Sequence, residues 1–178
     1  MKVHERLAFI TEIAKRDENV GKTGMMKLLY LMQEICDVPF GYDFEIYTYG
    51  PYCQTVMSDI EYAEFADYIK VSPVEYSNGM SGYQICISGE SEKLLSDKSD
   101  LIKEYDSSLA QIISFFGSRT AKELELYSTI VYVSSSYSSN AWSNSKEEIC
   151  SSVRKIKPHF SYETIQDAYD DLAKSSYL

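Results

Sequence analysis

The sequence predicts a mainly α protein with a small β element: a winged-helix-like N-terminal core followed by a C-terminal helical layer. Apolar residues recur at steps of three and four through most of the chain. Capping signatures of the form Ser/Thr-x-x-Glu stand before two such stretches, at Thr120 and Ser145. β-branched and aromatic runs are short, at residues 44–49, 71–76 and 83–87.

Val3, Leu7, Ile10 and Ala14 lie on one side of an expected first helix, with charges between them. A polar loop, Asp17-Glu18-Asn19-Val20-Gly21, follows. Thr23 suits the N-cap of a second helix, whose stripe is Met25, Leu28, Leu29, Met32 and Cys36. Leu31 and Ile35 widen that stripe, so the second helix is expected to be the more buried, and Pro39 ends it. Residues 44–49 read as a strand. Gly50-Pro51 is a turn signal, with Pro51 suited to the first turn of a third helix that carries Val56, Ile60 and Ala63 to about Ile69. The runs 71–76 and 83–87, bracketing Asn78-Gly79, read as a hairpin. The strand at 44–49 is expected to pair with it.

Beyond Glu90, Ile102, Tyr105, Leu109, Ile112 and Phe116 make a sustained apolar seam, serving as core or as a homodimer helix. Thr120 opens the next helix with Leu124, Tyr127, Ile130 and Val131. The serine-rich stretch 134–145 is expected to be an exposed loop anchored by Trp142. Ser145 caps a helix with Ile149, Val153 and Ile156, and Ser161 caps a last one with Ile165, Ala168, Tyr169 and Leu172. The expected division is a core at 1–89 and a helical layer at 90–178 packed on it, the two forming one compact unit.

The chain has 178 residues, within the range of a single domain at roughly 100–200 residues each. Seventeen Lys and Arg against twenty-seven Asp and Glu leave a net charge of -10, which disfavours non-specific binding to polyanions. No apolar run approaches a membrane span, and Met1-Lys2-Val3-His4-Glu5-Arg6 is no signal peptide, so a soluble, cytoplasmic protein is expected. Cys36, Cys53, Cys86 and Cys150 are scattered without a CxxC pair and read as small hydrophobes. With two histidines far apart, His4 and His159, no metal-ligand spacing occurs; no metal or cofactor is expected.

Helix, helix, strand, helix, hairpin is the element order of a winged helix, which places the third helix at the recognition position. Residues 54–69 contain Asp59, Glu61, Glu64 and Asp67 and no Lys or Arg, so that helix would be repelled by phosphates. The same acidity fits a basic protein partner. Sixteen tyrosines are present, five of them between positions 42 and 62: Tyr42, Tyr47, Tyr49, Tyr52 and Tyr62. Tyrosine is enriched at protein interfaces. Strand alternation puts Tyr47 and Tyr49 on one face, and Tyr52 is expected to be the most exposed ring. Lys27 and Tyr30 beside them form a buried cation–aromatic contact or part of that surface.

Lys27-Leu28-Leu29-Tyr30-Leu31-Met32-Gln33-Glu34, Val38-Pro39-Phe40-Gly41-Tyr42, Tyr47-Thr48-Tyr49-Gly50-Pro51-Tyr52 and Ser58-Asp59-Ile60 resemble the YwgA-type relatives of the SocA-like Panacea domain. The tail from Lys157-Pro158-His159-Phe160-Ser161 to Leu172 is similar to the closing segment of that group. The resemblance implies a prokaryotic, mobile-element-associated protein that binds a protein, a toxin among the implied partners. It implies no catalytic set.

Gly21-Lys22-Thr23 lacks the earlier glycine of a phosphate-binding loop, since Arg16 stands there. No Gly-x-Ser-x-Gly occurs. The expected function is a non-enzymatic interaction module, antitoxin-like or adaptor-like, with Lys27, Tyr30, Tyr47, Tyr49, Tyr52, Asp59, Glu61 and Glu64 as candidate contacts. Two alternatives stand beside it. One is a DNA-binding regulator using Lys15, Arg16 and Lys22 or Arg154, Lys155 and Lys157; the other is an enzyme without a recognisable motif.

Overall fold

The computed structural model describes residues 1–75, 79 and 81–178. The described chain is mainly helical, with two small antiparallel sheets of two strands each. It divides into two compact units: Met1–Asp43 with Cys53–Ser118, and Phe44–Tyr52 with Arg119–Leu178. These units do not follow the division expected at 89/90. The segment after Glu90 as far as Ser118 belongs to the first, and residues 44–52 belong to the second.

In the first unit, α1 (Val3–Arg16) and α2 (Lys22–Cys36) form where the apolar spacing places them. The N-cap of α2 is Gly21, not Thr23, and a close approach explains it. A Cβ at position 21 would lie 2.4 Å from the Tyr83 carbonyl oxygen, so only glycine fits. The third helix, α3 (Gln54–Phe65), stops short of the expected end near Ile69. Asp67 takes a left-handed conformation (φ 58°); its N–H bonds Glu64 C=O, and the Tyr68 N–H reaches Ala63 C=O. That pair of bonds is a Schellman stop, with Asp where Gly is usual. Ile69 then begins β3 (Ile69–Glu75), which pairs with β4 (Ser81–Ile87) in register Val71↔Ile85. The expected Asn78 turn and strand end at Tyr76 lie outside the described residues.

The strand expected to join this hairpin does not. The hairpin is met instead by Val20, whose C=O accepts the Ile85 N–H at 2.8 Å, and by Glu18, whose C=O accepts from the Gln84 side chain. The outer side of β3 is blunted: the Glu64 carboxylate accepts the Val71 N–H at 2.9 Å, and Pro73, two residues on, has no N–H.

The seam after Glu90 forms three successive helices, α4 (Ser91–Asp97), α5 (Ser99–Glu104) and α6 (Asp106–Phe116). Ile102, Leu109, Ile112 and Phe116 are buried and α6 packs on α2, so the seam is core within this unit. Phe9 anchors that core edge-on against Phe40, with ring centroids 4.9 Å apart.

In the second unit, β1 (Glu45–Tyr47) pairs with β2 (Gly50–Tyr52) as a hairpin, Tyr47 opposite Gly50 and Ile46 opposite Pro51. Pro51 therefore lies in a strand rather than in a helix start, two residues before Cys53 caps α3. The helix α7 (Ala121–Ser139) begins at the expected Thr120 capping box. It continues six residues into the serine-rich stretch expected to be a loop, residues 134–139. A Schellman stop ends it: Ala141 is left-handed (φ 53°), and the Trp142 N–H bonds Tyr137 C=O. The Trp142 ring stands edge-on to Tyr137 at 5.2 Å, the apolar contact that accompanies this stop. α8 (Lys146–Ile156) and α9 (Tyr162–Lys174) start at Ser145 and Ser161 as expected, and each serine hydroxyl accepts an amide of the first turn. Ile149 and Val153 of α8 and Ile165 and Leu172 of α9 are buried where the two helices pack together. No helix among the described residues is long and apolar enough to cross a membrane.

Candidate functional site

The eight candidate contacts fall into three groups. Lys27, Tyr30 and Asp59 are buried. None of the three is a surface contact: burial is one of the two readings given for Lys27 and Tyr30, and it corrects the expectation for Asp59. Glu61 and Glu64 are exposed on α3. Tyr47 and Tyr49 are each 68% exposed in the second unit, and Tyr52 is half-buried. Of the five tyrosines between positions 42 and 62, the most exposed are thus Tyr47 and Tyr49, not Tyr52.

Asp59 is occupied within the first unit. It accepts from Arg6 through both oxygens, Nε to Oδ2 at 2.7 Å and Nη2 to Oδ1 at 3.3 Å. The Tyr42 hydroxyl donates to Oδ2 at 2.8 Å, and the Arg6 guanidinium also lies over the Tyr42 ring. Tyr42 is held in place by Gln33, which bonds both its N–H and its C=O. Burial, reinforced by the adjacent Asp59 charge, holds the Tyr42 phenol protonated well above its ordinary range. The hydrogen bond to Asp59 raises the Arg6 guanidinium above its usual value. This cluster joins α1 to α3 and is structural. Spacing of apolar residues cannot reveal it, because Arg6 and Asp59 are 53 positions apart.

The tyrosines are presented by a different device. Residues 47–50 form a two-residue hairpin turn, so Tyr49 sits at the turn rather than on a strand face shared with Tyr47. Gly50 has φ +88°, a conformation that L side chains rarely adopt. A Cβ there would meet Ser128 Oγ at 3.2 Å, Thr129 Oγ1 at 3.3 Å and Glu125 O at 3.4 Å, all on α7. The other support is Lys157, whose side chain is only 2% exposed. Its ammonium donates to the carbonyls of Tyr47 and Thr48 and pairs with Glu125 Oε1 at 2.9 Å. His159 Nε2 approaches the same carboxylate oxygen at 3.4 Å from a half-exposed position.

The backbone of the turn is therefore fixed from one side by a buried charge and from another by α7, while two rings point to solvent. Such an arrangement offers aromatic area whose backbone ordering cost is already met by the fold. Periodicity does not mark either as buried: Lys157 is expected beside Arg154 and Lys155 as a surface cation, and nothing singles out Glu125. What distinguishes them is burial as a Lys–Glu pair, set by packing between residues distant in the chain.

Of the six cations proposed for a DNA-binding strip, Lys15 and Lys155 are exposed and the other four have partners within the fold. Arg16 pairs with Glu12 and Asp106, and Lys22 stacks over the Tyr83 ring. Arg154 donates to the carbonyls of Pro158 and Phe160, and Lys157 is buried. An open groove of about 430 Å³ in the first unit is lined by Glu12, Lys15, Arg16, Glu92, Lys103 and Asp106 among others. Arg16 satisfies two of its three carboxylates. Of the cysteines, Cys53 and Cys150 are buried and Cys86 is exposed, all as free thiols; burial pushes the Cys150 thiol up. Among the described residues no group of three His, Cys, Asp or Glu side chains is arranged to hold a metal ion.

No family model matches the chain, and no curated protein matches it.

Proposed function

We propose that the protein is a non-enzymatic interaction module, an antitoxin-like or adaptor-like regulator of a prokaryotic or mobile-element system. It acts by contacting a protein partner through the tyrosine turn. What supports this reading is one observation: Tyr47 and Tyr49 are both two-thirds exposed on a turn whose backbone is pinned by buried Lys157 and by Gly50 against α7. Large exposed rings on a rigid backbone lose little conformational freedom on binding, and tyrosine is among the residues that dominate interface energetics. The resemblance of residues 27–59 to the Panacea family supports the partner class, a protein such as a toxin.

The test is co-expression of the tagged protein with the product of the adjacent reading frame. Co-purification of the two chains is expected, with loss of the partner when Tyr47→Ala and Tyr49→Ala are combined. Both rings are exposed, so the double variant retains the fold, checked by circular dichroism. A partner retained at wild-type yield by the folded double variant would remove the tyrosine turn from the interface. Failure of the two wild-type chains to associate would remove the reading itself.

A further inference from the structure

The first unit carries a second exposed aromatic surface, on α3 and away from its buried Asp59 side. Phe65 is 88% exposed, the most exposed large apolar side chain among the described residues, and Tyr62 three positions earlier is 43% exposed. Residues three apart on a helix are neighbours, so the two rings form one patch. The start of α1 extends it, with the His4 ring 6.2 Å from that of Tyr62.

Carboxylates border the patch. Glu61 and Glu64 are exposed on the same helix, and Asp67 follows at its end. Two of the three are fixed as acceptors by the fold: Glu64 by the Val71 amide, Asp67 by the Ser88 hydroxyl. No Lys or Arg occurs from 54 to 69; Lys70 is the first cation after it. Nucleic acid and acidic membranes are repelled by such a rim. A second copy docking through the same patch would bring two sets of these carboxylates together, since an isologous contact is self-complementary. The remaining complement is cationic.

We infer that the Tyr62–Phe65 face of α3 docks a basic amphipathic segment of a partner protein. An apolar side chain of that segment covers Phe65, and its Lys or Arg residues meet Glu61, Glu64 and Asp67. The inference rests on the protein-interaction reading only for the class of partner; its residues are not those of the tyrosine turn.

The probe is a synthetic amphipathic Lys/Leu peptide, with a Glu/Leu peptide of the same pattern as control, measured by fluorescence anisotropy on the full chain. Wild type is expected to bind the Lys/Leu peptide and not the control, with affinity falling as salt rises. Phe65→Ala and Glu61→Lys should each weaken binding about tenfold, the size of a moderate hot spot. Asp97→Lys, an exposed reversal of equal charge on α4, should leave it within about twofold, as should the Tyr47/Tyr49 double variant.

Absence of binding to wild type overturns the inference. So does equal weakening by Asp97→Lys and Glu61→Lys, which would reduce the effect to net charge, or indifference to Phe65→Ala. A concentration-dependent dimer abolished by Phe65→Ala in sedimentation would assign the face to a second copy and also overturn it. If the tyrosine turn fails its own test while Phe65→Ala still weakens the peptide, the turn reading falls and this one stands.

Discussion

The Lys157 ammonium lies 2.9 Å from the Glu125 carboxylate with both side chains buried, beneath the hairpin turn that displays Tyr47 and Tyr49. A pair so placed is stabilising only as a pair, because either charge left alone in the interior is costly.

Lys157→Met is therefore expected to destabilise the protein by about 3–5 kcal/mol, the usual cost of stranding one member of a buried ion pair. Combining it with Glu125→Leu should recover much of that loss. Urea unfolding of the two single variants and the double variant checks this. A loss below about 1 kcal/mol for Lys157→Met would mean that Glu125 finds water and that the turn is not held from below.

On α3, two carboxylates two positions apart should behave oppositely. Asp59→Ala strands the Arg6 charge and the Tyr42 hydroxyl, and is expected to cost about 2–4 kcal/mol. Glu61→Ala, on the exposed side, should stay within about 0.5 kcal/mol. Denaturation midpoints of the two variants decide it, and similar values would contradict the burial of Asp59.

Gly50→Ala and Gly41→Ala separate backbone strain from crowding. Both glycines have positive φ, +88° and +76°, but only a Cβ at position 50 meets neighbours; at 41 nothing lies within 4 Å. Gly41→Ala is expected to cost about 1 kcal/mol from conformation alone, and Gly50→Ala more, since α7 must also give way. Equal losses in thermal unfolding would show that α7 does not crowd the turn.

Two titrations have opposite signs. Glu123 accepts from the Thr120 hydroxyl and amide, which hold its carboxyl below the usual range. Its stabilisation is present above the unfolded value near 4.5 and is lost as pH falls through the lower folded one. Tyr127, buried and donating to Asp171, is pushed up to about 12 from the ordinary phenol value of 10.0. Its contribution is present below pH 10.0 and is lost as pH rises toward 12. Glu123→Gln should flatten the acid slope of stability and Tyr127→Phe the alkaline slope, measured by urea unfolding at stepped pH. Unchanged slopes would remove these groups as the cause.

Much of the helical framework was legible from residue order. The seam of Leu109, Ile112 and Phe116 is core, and Thr120, Ser145 and Ser161 cap the helices they precede, because periodicity and capping are local properties. What was not legible depends on distant partners. The strand at 45–47 pairs with the three residues just after its turn, not with the later hairpin, and Pro51 within a strand is a poor signal for one. Asp67 ends α3 in a conformation usually left to glycine, so no Gly announces the stop. Residues 134–139 stay helical although serine competes weakly for local turns. Of the candidate site, Tyr47 and Tyr49 were legible as aromatic surface, and burial is one of the two readings of Lys27 and Tyr30, whereas Asp59, expected at the surface, is interior. Asp59 stands three residues after Val56 and four before Ala63, on the apolar face of α3, but its partner Arg6 is 53 positions away and no spacing names it.

Glu64 and Pro73 together leave the outer margin of β3 with little to offer an incoming extended chain. Recruitment by strand addition is thereby discouraged, as is the runaway stacking of like hairpins into fibrils. A guest at that margin is then read through side-chain shape and charge, and specificity there can change one residue at a time.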